Sequence, residues 1–221
     1  MIKKLKTYLK HQQFLLKEKR VRKTVGSLFY AFDKQKAIFV HIPKTAGMSI
    51  VQSLFKATGG HRSALFLRQV FASDFDSYFK FTFVRNPWDR LYSAYRFLEK
   101  GGVNQHDKKV FEKHLKQCDS FKDFVLNHLS KKQVLDIIHF QPQSKFLLDE
   151  SMNIMVDFIG RYESLEKDFL YVTHQLNVTA SLPHINKTTG KIDYRSVYTD
   201  EMKEKVAEVY QDDIKIFNYT F

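Results

Sequence analysis

Two stretches of this chain are each built as an apolar strand that runs into a polar loop and then a helix. That repeated order constrains the fold more than any other feature. The first is AIFVHIPKTAGMSI, residues 37–50, and the second is FKFTFVRNPWDRLYSAY, residues 79–95. Short apolar runs of this kind read as buried strands, predicted here from Ala37 to Ile42 and from Phe79 to Val84. A helix from Met48 to Ala57 follows the first, stopped by Thr58-Gly59-Gly60. After the second strand Asn86 and Pro87 are placed as N-cap and first residue of a helix. Its Trp88, Leu91, Tyr95 and Leu98 recur every three or four residues and share one buried face, before Gly101-Gly102 ends it.

The segment around Ser63 to Ser77 is mixed, and helices are expected from Asp107 to Cys118 and from Phe121 to Leu129. Ile154 to Gly160 reads as a third strand, with a helix from about Leu165 to Leu176. The stretch from Ser181 to Val197 is irregular and polar. Thr199, followed by Asp200 and Glu201, opens a last helix to about Tyr210. Strands alternating with helices give an α/β fold with a central, mostly parallel sheet flanked by helices. In such sheets ligands bind beyond the carboxyl ends of the strands.

With 221 residues, 43% of them hydrophobic, the chain suits one folded domain. The net charge of +12 is unevenly spread: residues 1–36 hold 11 Lys/Arg against 2 Asp/Glu, nine of the twelve charges. This divides the chain into a basic, helical N-terminal extension (1–36) and a nearly balanced domain (37–221). Ile2, Leu5, Leu9 and Leu16 fall on one face of that extension, which suits peripheral contact with an anionic membrane or polymer, or packing on the domain. With a single cysteine, Cys118, neither an intrachain disulfide framework nor a cysteine-based zinc site is expected. No apolar run is long enough to span a membrane and no signal peptide is recognisable, so a cytoplasmic location is expected, with membrane association through residues 1–36.

The first loop carries Lys44, Thr45, Ala46, Gly47, Met48 and Ser49. Backbone N–H groups at a helix start favour an anion, the hydroxyls add donors, and Lys44 adds a mobile charge. An ordinary strand-to-helix turn with a solvated lysine is the alternative. In the second unit Arg85 sits at the strand's carboxyl end, where a guanidinium can grip a phosphate by two bonds, and Ser93 lies two turns into the helix. Arg85 as an ion-pair partner of Asp89, and Ser93 as a surface serine, remain open on spacing alone.

Together the two units resemble the paired nucleotide-binding motifs of carbohydrate sulfotransferases that use 3′-phosphoadenosine 5′-phosphosulfate (PAPS). The similarity is to the branch of the heparan sulfate 2-O- and chondroitin sulfotransferases and their bacterial relatives. It extends to HFQPQSKFL (139–147), DFIGRYESLEKDF (157–169) and HINKTTGKIDYRSVYTDEM (184–202). The resemblance implies a P-loop-like three-layer fold. It also implies a 5′-phosphosulfate held by residues 44–49, a 3′-phosphate held by Arg85 and Ser93, and a late loop, Lys187, Thr188 and Thr189, on the co-substrate. Met48 departs from it, since relatives often have Thr there.

Sulfuryl transfer needs in-line positioning and stabilisation of charge on the leaving phosphate, a role for Lys44. It also needs a base for the acceptor hydroxyl, and histidine suits that task. His61 is placed like the family's base. His139 is the second candidate for it, or a substrate contact, and His41 reads as structural. Arg62, Arg68 and Lys145 are candidate contacts for an anionic acceptor, with a solvated surface charge as the alternative for each. No HExxH or Cys/His constellation is present, so no metal is expected.

The expected activity is sulfation of a saccharide or glycolipid hydroxyl by a bacterial-type enzyme, with no nucleic-acid partner. Two alternatives remain. A P-loop-type nucleotide kinase or NTPase is consistent with Thr45 after Lys44, but the glycine spacing differs and Val84-Arg85 stands where a strand-end acid belongs. A non-enzymatic binder of anionic polymer would depend on residues 1–36 and on low salt.

Overall fold

The structure, a computed structural model, describes residues 2–182 and 193–221. In chain order the elements are α1 (Ile2–Arg22), α2 (Leu28–Gln35), β1 (Ala37–Val40), α3 (Gly47–Phe55), α4 (Ala64–Phe71), α5 (Ser73–Ser77), β2 (Phe79–Val84) and α6 (Pro87–Glu99). There follow α7 (Gln105–Val110), α8 (Phe121–Asp123), α9 (Lys131–Asp136), α10 (Ser144–Leu147), β3 (Phe158–Arg161), α11 (Leu165–Gln175), α12 (Asp200–Val209) and α13 (Gln211–Phe217). The chain forms two compact units. One comprises the described residues of Met1–Ile42, Ala46–Phe83 and Phe146–Ile185, and the other those of Pro43–Thr45, Val84–Lys145 and Asn186–Phe221.

The first unit carries a three-stranded sheet of order β1-β2-β3. β1 and β2 pair in parallel, from Ala37 opposite Phe79 to Val40 opposite Thr82. A parallel pair needs a crossover, and the helices α3 to α5 supply it. Every residue of β1 is buried, which accounts for its unbroken apolar run. Helix α2 packs on β1 and α11 on β3, so the sheet is flanked by helices, as expected. Phe32, Phe39, Phe71, Phe81 and Phe83 are fully buried among them, each contributing about 1.5–3 kcal/mol through the area it removes from water. Helix α1 lies against α4, with Phe14 on Phe66 at 5.4 Å between ring centroids. Its far end is fixed by Arg22, which forks onto Asp33 at 2.7 and 2.6 Å and stacks on Phe71.

The second unit is built around α6. Asn86 caps it by accepting from the Trp88 N–H, Pro87 is its first residue, and Trp88, Leu91, Tyr95 and Leu98 are all buried, as the spacing predicts. They pack with Phe124, Phe140, Met202 and Val206 in one apolar cluster.

Three sequence expectations shift. The third strand is Phe158–Arg161 rather than 154–160, while Ile154 makes an isolated antiparallel bridge to Leu148. At Asp157 the carboxylate accepts from the backbone N–H and the ammonium of Lys80, so that N–H bonds to a side chain rather than to a carbonyl of the neighbouring strand. The segment at 63–77 resolves into α4, capped by Ser63, and α5. The expected helices after residues 107 and 121 change into π-helical turns at Phe111–Leu115 and Phe124–His128.

Candidate functional site

The loop between β1 and α3 is held in an unusual backbone conformation. Lys44 and Ala46, neither of them glycine, both have positive φ, 71° and 64°. Such residues cost of order 1–3 kcal/mol each and persist where the surroundings impose them. Ala46 opens α3 without any side-chain cap, so no side chain of its own covers the helix's first N–H groups. Thr45 and Ser49 are buried, whereas Met48 is exposed. A Cβ on Gly47 would run into the His41 ring, so only glycine lets the helix start pass this close.

In the first unit His41 is buried, and its Nδ1 has no hydrogen-bond partner among the described residues. Burial, and next the neighbouring His61, hold its pKa well below the usual histidine value. Nδ1 of His61 lies 3.0 Å from the His41 carbonyl oxygen, and the two rings are 4.2 Å apart. A carbonyl only accepts, so Nδ1 carries the proton and Nε2 of the neutral ring carries the lone pair.

Arg62 is engaged elsewhere in this unit, donating to Glu18 at 3.3 Å and to the His61 carbonyl at 3.1 Å, with its guanidinium over Phe14. Exposed Arg68 lines a groove with Lys80, Asp76, Asp149 and Asp157, a mixed rather than basic surface.

The second unit gathers the cations. Lys44 Nζ sits 4.0 Å over the Phe97 ring. Burial, then Arg85 and Arg90, pull the Lys44 ammonium down to about 8, against an opposite pull from Asp107. Arg85 forks onto Asp89 through two 2.8 Å bonds and donates to the Lys44 carbonyl at 3.2 Å. The ion pair left open by the sequence is therefore present. Ser93, half-buried, stands one helical turn beyond Asp89 on the same face of α6. His139 is buried, 3.7 Å from Asp107 and with its ring 5.2 Å from that of Phe97. Lys145 is exposed in α10. Lys187, Thr188 and Thr189 lie outside the described residues.

Several residues that hold this arrangement escaped the sequence reading. Arg90 is fully buried and donates to the carbonyls of Pro43, at 2.9 Å, and His139, at 3.3 Å, tying the loop to the second candidate histidine. Gln143 pairs through its amide with both the N–H and the carbonyl of Arg85, and its own N–H donates to buried Asp213. Arg90 lies off the apolar stripe of α6 formed by Trp88, Leu91, Tyr95 and Leu98, so neither it nor Asp213 had a local signal.

The structure also brings together Cys118, Asp123 and His128, whose ligand atoms lie within 4.8 Å of one another. The sequence reading found no such group because the spacing of five matches no regular helix. Among the described residues no helix is long and apolar enough to cross a membrane.

Residues 27–220 match the family model described as Sulfotransferase family. Carbohydrate sulfotransferase 11 of Rattus norvegicus is 30% identical over 170 residues, covering 65% of this chain and 47% of its own length. Carbohydrate sulfotransferase 9 of Homo sapiens is 24% identical over 239 residues, 88% of this chain and 53% of the relative. This chain thus spans about half the length of these curated relatives. No solved structure matches. A match of this family model over residues 27–220, nearly the whole chain, places this chain in the sulfotransferase family.

Proposed function

We propose that this chain transfers a sulfuryl group from PAPS to a hydroxyl of a saccharide or glycolipid. The observation that carries the reading is the cationic group of Lys44, Arg85 and Arg90, in which both guanidinium groups bond to carbonyls of the loop at 43–44 and the Lys44 ammonium is pulled down by burial first and then by Arg85. A polyanion supplies what that group lacks. The uncapped start of α3 and the absence of room for a side chain at residue 47 fit a phosphate-bearing ligand as well.

When bound, the co-substrate supplies the sulfuryl group and the phosphate that leaves. Lys44 stabilises charge on the bridging oxygen as the S–O bond to that phosphate breaks. Residues 45–49 offer N–H and hydroxyl donors to the phosphosulfate. Arg85, with Ser93, takes the 3′-phosphate by turning part of its fork from Asp89. His61 accepts the hydroxyl proton at Nε2 as the acceptor oxygen bonds to sulfur, so the products are a sulfate ester and adenosine 3′,5′-bisphosphate. Lys187, Thr188 and Thr189 are assigned to the co-substrate by the motif HINKTTGKIDYRSVYTDEM alone. The names of the curated relatives support a carbohydrate acceptor.

The test has two arms. Adenosine 3′,5′-bisphosphate is expected to raise the melting temperature, and ATP with Mg²⁺ is not. Transfer of radiolabelled sulfate from PAPS is then screened across saccharide and glycolipid acceptors, with His61→Ala as control. Stabilisation by ATP with Mg²⁺ alone would overturn the reading in favour of a kinase.

A further inference from the structure

Cys118, Asp123 and His128 follow one another at intervals of five residues. In an α-helix a step of five turns a side chain well away from its starting face, because neighbours on one face are three or four apart. The chain overcomes this with a π-helical turn over Phe124–His128, whose wider winding returns His128 to the side of Asp123. Nε2 of His128 lies 3.5 Å from Oδ2 of Asp123, about the edge length between two ligands at roughly 2 Å from a tetrahedral ion. The Cys118 sulfur lies with them, all three ligand atoms falling within 4.8 Å. π-Helical turns are rare and concentrate at functional sites, so the winding is an observation separate from the residue types.

The carboxylate is already oriented. Asn127 donates to Oδ1 of Asp123 at 2.7 Å and the Asp119 N–H to Oδ2 at 3.1 Å, the kind of outer contacts that hold a metal-binding carboxylate in place. All three residues are half-buried, so an ion can reach them. Neither the phosphate loop nor the candidate histidines His61 and His139 belong to this group.

We infer that Cys118 Sγ, the Asp123 carboxylate and His128 Nε2 form a binding site for one Zn²⁺, with water as the fourth ligand. A mixed S, O, N set suits this borderline ion better than Mg²⁺ or Ca²⁺, which take oxygen. The thiol gives up its proton to solvent as the S–Zn bond forms, so binding releases about one proton and strengthens as pH rises. The site cross-links the turn at 118–120 to the end of the π-helical turn.

The full chain, reduced and metal-free, is titrated with Co²⁺ as a spectroscopic substitute for Zn²⁺. A thiolate-to-cobalt charge-transfer band should saturate at one ion per chain and disappear when Zn²⁺ is added. This band reports only the thiol, so weak binding at other histidines does not register. Cys118→Ser should abolish it, and Asp123→Asn and His128→Gln should weaken binding by at least about 10–100-fold, the loss typical when mere outer-shell partners are removed. Zn²⁺ should raise the melting temperature of the parent and not of His128→Gln, whose circular dichroism without metal should match the parent's. No charge-transfer band, or unchanged affinity in His128→Gln, would overturn the site.

Discussion

At the residue scale, the burial of Lys44 beside two guanidinium groups has a consequence that paired melts can read. The Lys44 ammonium is pulled from an ordinary value of 10.5 to about 8 by burial and by Arg85 and Arg90. Between these two values the unfolded chain holds a proton that the folded chain has released. The lysine's contribution to stability therefore increases as pH rises from about 8 toward the usual lysine range. The expected outcome is a free protein that gains thermal stability over that window relative to Lys44→Met, in paired melts at each pH. An anion bound beside Lys44 reverses the effect, so adenosine 3′,5′-bisphosphate should take up protons on binding near pH 8. Calorimetry in buffers of different ionisation enthalpy measures that uptake, and Lys44→Met should remove it. His61 makes a different claim. With its proton on Nδ1 by virtue of the His41 carbonyl, His61→Ala should lower kcat by roughly 10²–10⁴-fold while the bisphosphate still raises the melting temperature. A loss of bisphosphate binding in that variant would show a structural role instead.

At the scale of elements, the parts of the fold set by local chemistry were legible and those set by distant contacts were not. β2 begins and ends where its apolar run does, and α6 starts at the Asn-Pro pair, because cap and strand preferences act within a few residues. The candidate lysine, arginine and histidine, Lys44, Arg85 and His61, were named from their places next to such boundaries. Arg90 was missed because its partners, the carbonyls of Pro43 and His139, are 47 and 49 residues away. The π-helical turns were missed because the same residue types wind as α-helix elsewhere, and only side-chain packing distinguishes the two. Asn86 shows how much one element can rest on a legible signal: it caps α6 and its amide also donates to the Thr220 carbonyl at 2.7 Å. Asn86→Ala should cost about 1–3 kcal/mol, a lost cap plus an unpaired carbonyl, read as a lower urea midpoint with an unchanged m-value. Gly47→Ala should be worse for function than for folding, because the His41 ring must move to admit the methyl and the start of α3 shifts with it. The expected signature is loss of the bisphosphate's stabilising effect in a chain that still melts cooperatively.

At the scale of the whole molecule, charge and apolar exposure coincide in one place. Nine of the twelve net positive charges lie in the first 36 residues, and α1 exposes Leu5, Leu9 and Leu16 at 57%, 50% and 58%. At 100° per residue these leucines fall within a narrow arc, on the side opposite Glu18, which is buried, and Phe14, which contacts α4. A polymer of phosphates or sulfates would use the lysines and leave the leucines in water, whereas an anionic lipid surface uses both. Each half-exposed leucine that enters the interface contributes roughly 1 kcal/mol, and that part does not vanish with salt as the lysine part does. The full chain is therefore expected to sediment with vesicles containing phosphatidylglycerol and not with those of phosphatidylcholine alone, and to keep part of that binding in high salt. Replacing Leu5, Leu9 and Leu16 together by Ser should abolish the salt-resistant part and spare sulfate transfer to a soluble acceptor. Binding that falls to nothing in salt for both forms alike would mean that the arm is an electrostatic one, and the leucines would then have no lipid to meet.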